Sequence, residues 1–245
     1  MKIGAIIEAR MNSNRLPGKV LLKAAGKTFL KHLIERINKV SKIKNIVVAT
    51  TVNKQDIEIV KFCKKNKIKY FRGSEENVME RVIAAAKKHK IDVIVEITGD
   101  CPAIDPNIIS QCLEIYLKNK VDYVTNCHVR SYPDGMDVQV YKLQTLIKSS
   151  KMTNNRLDKE HVTLHIRKNP KKFSAIHMLP PQDIFWPELG LTLDEHQDYY
   201  MLKTIFEYFY KKKNIFFSCL DIINFLKINK NIRNINRFVK RKNNA

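Results

Sequence analysis

Five short runs of mostly branched apolar residues set the first limit on what this chain can become: "IGAII" (3–7), "NIVVAT" (45–50), "IKYF" (68–71), "VIVEIT" (93–98) and "VDYVTN" (121–126). Each is nearly continuous in hydrophobicity, the pattern of strands covered on both faces. Stretches with helical spacing separate them, at about 28–39, 54–65, 76–89 and 105–118. Alternating strand and helix predicts a mostly parallel sheet with helices on both faces, an α/β fold. Local punctuation agrees. Thr28 stands where the first helix would be capped, and Asp105-Pro106 supplies an N-cap followed by proline at the first helical position.

After residue 126 the rhythm changes. "SYPDGMDVQVY" reads as a turn at Pro133-Asp134-Gly135 and then a strand. A helical stretch is expected near 156–168, a strand at 173–179, and a short strand "LTLD" at 191–194 behind a proline-marked loop. Helices near 196–210 and 219–228 close the pattern. The simplest organisation is one α/β domain over 1–228 with a small inserted β arm at about 127–142. A basic C-terminal tail follows at 229–245, frayed at its end.

The 245 residues suit one large domain, and 44% hydrophobic content is ordinary for a globular chain. The net charge of +21 could point to nucleic acid or another anionic partner. Runs such as "KKNKIK" and "KKHK" fall on expected helix faces, however, and read as solvated stripes. No helix-turn-helix, RNA-recognition or zinc-finger signature accompanies them, so nucleic acid is not expected as a partner. Five irregularly spaced cysteines without a CxxC pair fit free thiols in a reducing cytoplasm. Neither a signal peptide nor a membrane-length apolar run is present. The expected location is therefore cytoplasmic.

Ligands of open α/β sheets gather at the carboxyl ends of the strands. Three groups of residues fall there. The loop after the first strand carries Arg10, Arg15 and Lys19, with Asn12, Ser13 and Asn14 permitting tight turning and Pro17-Gly18 breaking the chain. Such a loop can cradle phosphate through backbone N–H groups and bidentate arginine, or it is simply a basic surface loop. It matches neither GxxxxGK[ST] nor GxGxxG. The second group is "TGDCP" (98–102), where Asp100 ends a very apolar run and suits Mg²⁺, unless it only caps the next turn. The third is "LTLDEHQD", where Asp194 is either a helix cap or a second carboxylate for the same metal. His161 and His165, four apart, are expected on one helix face as structural or substrate-contacting groups, not as zinc ligands. Cys101, beside Asp100, has no evident partner base and is not expected to be a nucleophile.

The ordered set "ARMNSNRLPGKVL", "VVATT", "FRGSEENVMER", "ITGDCPAIDP", "YPDGMDVQVY", "EHVT" and "LTLD" resembles the cytidylyltransferase family of CMP-sugar-acid synthetases, most closely its spore-coat polysaccharide branch. The resemblance runs from about residue 2 to 210. It implies a GT-A-like nucleotide-diphospho-sugar transferase fold and transfer of CMP from CTP to a sugar-like acceptor with release of pyrophosphate. By the same resemblance Arg10, Ser13, Arg15 and Lys19 hold the triphosphate. Asp100 and Asp194 hold Mg²⁺, and Arg72 and Ser74 close over the nucleotide. Asp134, Asp137 and His161 fall on the acceptor side. A homodimer paired through the arm is implied as well. The expected chemistry is in-line attack on the α-phosphorus, with Arg15, Lys19 and Asp100 as its catalytic groups. The competing reading is a GT-A glycosyltransferase with a nucleotide-sugar donor. That chemistry favours a DxD motif, and "GDCP" supplies one aspartate.

Overall fold

The computed structural model describes residues 1–241. The first half follows the expected alternation: β1 (Ile3–Glu8), the hairpin of β2 (Lys23–Ala24) and β3 (Lys27–Thr28), α1 (Phe29–Ile37), β4 (Asn45–Thr51), α2 (Ile57–Lys65), β5 (Lys69–Gly73), α3 (Val78–His89), β6 (Val93–Thr98) and α4 (Pro106–Lys118). β1 lies between β4 and β6, parallel to both, and β5 extends the parallel set beyond β4. Thr28 accepts from the N–H of Lys31 and Asp105 from that of Asn107, so both expected caps form.

The second half completes the sheet in a different manner. β7 (Tyr123–Thr125) and β8 (Gln139–Lys142) are followed by α5 (Leu143–Ser150), α6 (Arg156–Glu160), α7 (Leu164–Lys168), β9 (Ala175–His177), α8 (His196–Lys211), α9 (Cys219–Ile228) and α10 (Lys230–Arg233). The sheet order is β5-β4-β1-β6-β8-β7-β9, and β8 alone runs antiparallel to its neighbours. Residues 127–138 leave the sheet as a loop. Residues 139–142, expected at the end of the arm, instead lie between β6 and β7, with Val140 and Tyr141 wholly buried.

Three further expectations from the second half are corrected. "LTLD" is not a ladder strand, because its N–H groups find loop carbonyls: Leu191 donates to Asp134 and Leu193 to Asp100. The stretch 156–168 is two short helices, broken at Val162, whose φ is 34°. His161 and His165 therefore share no helix face. Residues 230–241, expected as a tail, fold back on the domain, with Asn236 buried; residues 242–245 of that expected tail lie outside the described residues.

Two apolar clusters cover the two faces of the sheet. One joins α1, α2, α4, α8 and α9 to residues such as Ala5, Ile7, Val93 and Val95. The other packs α3, α5 and α7 on Ile6, Val47 and Ile94. Alternate residues of β1 thus serve opposite cores, each buried isoleucine contributing about 1.5–3 kcal/mol. This packing fixes the carboxyl ends of β1 and β6 side by side. No helix among the described residues is long and apolar enough to cross a membrane.

Candidate active site

The loop after β1 is pinned from beneath. The buried Asp56 carboxylate accepts the N–H of Met11 at 2.6 Å and that of Thr51 at 3.0 Å. Gly18 donates back to the Met11 carbonyl at 2.8 Å, closing the loop. Leu16 and Val20 point into the core. Ser13, Asn14 and Arg15, between these anchors, face the cavity. Gly99 lets the end of β6 approach β1, since a Cβ there would stand 2.7 Å from the carbonyl oxygen of Glu8. Asp100 is thereby brought up against the loop.

The charges in this corner form a closed network. Lys19 Nζ donates to Asp100 Oδ2 at 2.8 Å and to Asp194 Oδ1 at 2.9 Å. Arg15 lies 3.0 Å from Asp194 and 3.6 Å from Glu195, and Arg10 lies 3.1 Å from Glu75. Burial alone would depress the Lys19 ammonium, yet the two carboxylates outweigh it and raise its pKa. Burial likewise works to raise Asp100, and Lys19 more than offsets this, leaving its carboxyl below the ordinary range. Asp194 is freed from capping, because the N-cap of α8 is Glu195. The cavity above holds about 610 Å³ and is lined by Arg10, Ser13, Arg15, Lys19, Asp100, His161 and Asp194, among others.

Two carboxylates converging on one ammonium test whether a divalent cation fits. No cluster of three or more His, Cys, Asp or Glu able to hold a metal occurs among the described residues. Mg²⁺ needs no such cage, since it is commonly held by one or two carboxylates together with substrate phosphates and water. Asp100 and Asp194 fit that pattern.

A second cavity of about 240 Å³ adjoins the first and shares Glu8, Arg15, Thr98, Asp100, Glu160, His161 and Asp194 with it. Its remaining wall includes Glu96, Asp134, Asp137, Gln139, Thr163 and Arg167. Arg130 bridges Asp134 and Asp137, at 3.2 Å from each. Burial pushes Asp137 up to about 6 despite Arg130, with Asp134 adding to the rise. Glu96 is raised well above its ordinary value by burial and by Glu8, and it accepts from Tyr141 and Gln139. Arg167 has a buried Nε without a hydrogen-bond partner. No carboxylate among the described residues pairs with it.

The structure brings together Arg10, Ser13, Arg15, Lys19, Asp100, His161 and Asp194 around the first cavity, and Asp134 and Asp137 around the second. Arg72 and Ser74 are placed elsewhere. Arg72 is spent on the carbonyls of Thr51 and Asn53, and Ser74 accepts from the N–H of Asn77 at the start of α3. Neither lines this cavity or the one beside it, whereas Glu75 and Glu76 line the first. Cys101 is buried, and burial with Asp100 raises its thiol far above the nucleophilic range. Glu8, Gln139, Thr163, Arg167 and Arg241 escaped the reading of the sequence. Only Glu8, the polar end of an apolar strand, carried a signal that could have found it.

A family model described as cytidylyltransferase matches residues 4–238. An uncharacterized protein of Methanocaldococcus jannaschii is 37% identical over 242 residues, spanning 99% of this chain and 97% of that one. The spore coat polysaccharide biosynthesis protein SpsF of Bacillus subtilis is 31% identical over 207 residues, spanning 82% and 85%. A solved cytidylyltransferase structure from Leptospira borgpetersenii aligns with a TM-score of 0.91 at 33% identity, covering 98% of this chain and 100% of that one.

Proposed function

The chain belongs to the cytidylyltransferase family and has its nucleotide-diphospho-sugar transferase fold, and from that premise we propose that it moves CMP from CTP to a small sugar-like acceptor. The acceptor is a sugar acid, a sugar or a related phosphorylated or phosphonate molecule. Pyrophosphate is released, and the product serves surface glycan synthesis in the cytoplasm. The observation that carries this reading is Lys19 held between Asp100 and Asp194 beneath a loop of two arginines. It is a site whose cations and carboxylates are already gathered, and into which a metal-bound triphosphate can be exchanged.

In this reading the acceptor oxygen attacks the α-phosphorus in line, and the bond from that phosphorus to the bridging oxygen of the β-phosphate breaks. Arg15 and Lys19 neutralise the charge that builds on the departing pyrophosphate. Arg10 and Ser13 hold the triphosphate at the loop. Asp100 and Asp194 would hold Mg²⁺, which when bound offsets phosphate charge. With triphosphate bound, Lys19 would pair with phosphate oxygens, leaving Asp100 and Asp194 to hold the metal. The second cavity takes the acceptor. Asp134, Asp137 and His161 offer acceptors and donors to hydroxyl groups there, and Arg167 offers an unpaired guanidinium to an acidic group. An acceptor that attacks through a hydroxyl finds Glu8, a carboxylate lining both cavities, as a base. Pairing of two copies through the loop after β7 belongs to the same proposal; Val129, Leu179 and Phe185 are exposed large apolar residues of this half of the molecule. Family membership favours pyrophosphate over a nucleoside mono- or diphosphate as the released product, and so disfavours a glycosyltransferase.

A thermal-shift panel with Mg²⁺ and CTP, GTP, UTP or ATP tests the reading before any acceptor is known. CTP at about 100 times its Kd should add ~2.7 kcal/mol of stability, and Arg15→Ala should lose that gain. A shift selective for another nucleotide, or none with any, overturns the donor assignment. Pyrophosphate release with sugar acids, sugars and sugar phosphates then identifies the acceptor.

A further inference from the structure

The segment that follows α9 looks expendable in sequence, as a run of Asn, Arg and Lys. In the structure its described residues reach Asp194. The route begins with Asp198, in the first turn of α8, which has no exposed surface. Its Oδ2 accepts the backbone N–H groups of Asp194 at 3.1 Å and Glu195 at 2.9 Å. Asp198 therefore sets the position of the peptide that carries the Asp194 carboxylate.

A buried carboxylate needs a cation, and the C-terminal segment supplies it. Arg241 donates to Asp198 with both terminal nitrogens, at 2.7 and 3.1 Å, and to the Thr192 hydroxyl at 2.8 Å. The same guanidinium stands 3.8 Å from Asp194 Oδ2, opposite the oxygen that faces Lys19. Asn236 adds a second tie, donating to Asp198 at 2.8 Å and to the carbonyl of Gly190 at 2.9 Å. Arg15, on the far side, reaches the carbonyl of Lys240 at 3.4 Å. Gly190 makes room for the arrangement, since a Cβ there would stand 2.0 Å from the Arg241 guanidinium.

We infer that residues 234–241 form a strap that completes the active site, and that Arg241 is a positioning residue acting on Asp194 through Asp198. Outer groups that orient a metal ligand commonly carry roughly 10–100-fold in metal affinity or activity. Arg241 lies beyond residues 4–238, which the family model matches, so the assignment rests on this chain's own geometry. Its effect on turnover rests on the cytidylyl-transfer reading; its effect on the backbone at Asp194 does not.

Two variants break the grip by different routes. Arg241→Ala removes the guanidinium. Gly190→Ala keeps it but fills the space it occupies, and the atom displaced is the far end of a flexible side chain, so the fold is retained. Amide hydrogen exchange, measured without nucleotide, reads the Asp194 and Glu195 N–H groups directly. Both variants should speed it by roughly tenfold or more, with β1 and β6 unchanged. The double variant should be no faster than Arg241→Ala alone, because both changes act through one contact. In the pyrophosphate assay both should demand more Mg²⁺ and lower kcat more than they raise the KM for CTP. Added guanidinium ion should restore part of the loss in Arg241→Ala.

Unchanged exchange at Asp194 and Glu195 in both variants, or additive effects in the double variant, overturns the strap. Faster exchange with wild-type Mg²⁺ dependence and kcat overturns its catalytic role. If the wild-type protein turned over no nucleotide at all, the cytidylyl reading would fall, while the exchange measurement would still decide whether Arg241 positions Asp194.

Discussion

The two cavities meet along Glu8, Asp100, His161 and Asp194, yet their charges are arranged on opposite principles. On the side proposed for the nucleotide every cation expected to meet phosphate already has a carboxylate: Arg10 with Glu75, Arg15 with Asp194, and Lys19 with Asp100 and Asp194. On the side proposed for the acceptor burial dominates. Glu8, Glu96 and Asp137 are all pushed up, and Arg167 keeps a buried nitrogen without a partner. The first arrangement suits exchange, because a metal–triphosphate complex can replace each internal pair with an equivalent external one. The second suits selection, because a ligand is rewarded only if it supplies the missing partner.

The largest effect should come from the corner where internal pairing is densest. Asp100→Asn removes the charge of a proposed Mg²⁺ ligand and one of the two carboxylates on Lys19. Turnover should fall by on the order of 10³-fold or more, with the fold retained because Lys19 keeps Asp194, though at a lower stability than wild type near neutral pH. Pyrophosphate release and circular dichroism on the same sample check both halves of the statement. Ordinary activity at ordinary Mg²⁺ would remove the metal from the exchange argument.

A smaller effect should separate the two cavities. Arg167→Gln takes away a cation of the proposed acceptor side that has no carboxylate partner among the described residues. Loss of a charge-assisted hydrogen bond costs about 1.5–3 kcal/mol, so the KM for an acidic acceptor should rise roughly 10–150-fold. The CTP-induced thermal shift should be that of the wild type. If the variant loses the CTP shift as well, the division of labour between the cavities is wrong.

How far the sequence reveals each side follows from how each is assembled. The nucleotide side comes from residues adjacent to strand ends: Arg10 to Lys19 follow β1 and Asp100 follows β6. A sequence displays that adjacency directly. The sheet was legible for the same reason, since β1, β4, β5 and β6 are apolar runs between helical stretches. The acceptor side draws on β6, on the 127–138 loop, on β8 and on α7, and its members come together only through tertiary packing. Arg167 looks like any arginine on a short helix until the break at Val162 turns that helix toward the cavity. β8 was partly hidden because an antiparallel strand in the middle of a parallel set has no signature in its own residues. Arg72, placed over the nucleotide by family resemblance, donates here to the carbonyls of Thr51 and Asn53. Arg241 was obscured by composition, one of 45 lysines and arginines whose position alone makes it different.

The smallest expected effect tests the comparison without any ligand. Asp137 is raised to about 6 in the folded protein, against about 3.9 for an unperturbed aspartate. A raised carboxyl binds its proton more readily in the folded state. Its favourable contribution is therefore complete below about pH 4 and lost as pH climbs through about 6. Asp137→Asn never ionises. Relative to wild type, the variant should gain stability between about pH 4 and 7, by on the order of 3 kcal/mol, and hold level above that. Any cost of weakening the contact with Arg130 shifts the whole curve without changing its slope. Asp100 is displaced downward by Lys19, so its contribution is present above about pH 4 and lost as pH falls. Asp100→Asn should accordingly lose stability relative to wild type as pH rises through the acid range. Denaturant unfolding of the three proteins from pH 3.5 to 8 would give slopes of opposite sign if one cavity is governed by pairing and the other by burial, and slopes of the same sign if the contrast is false.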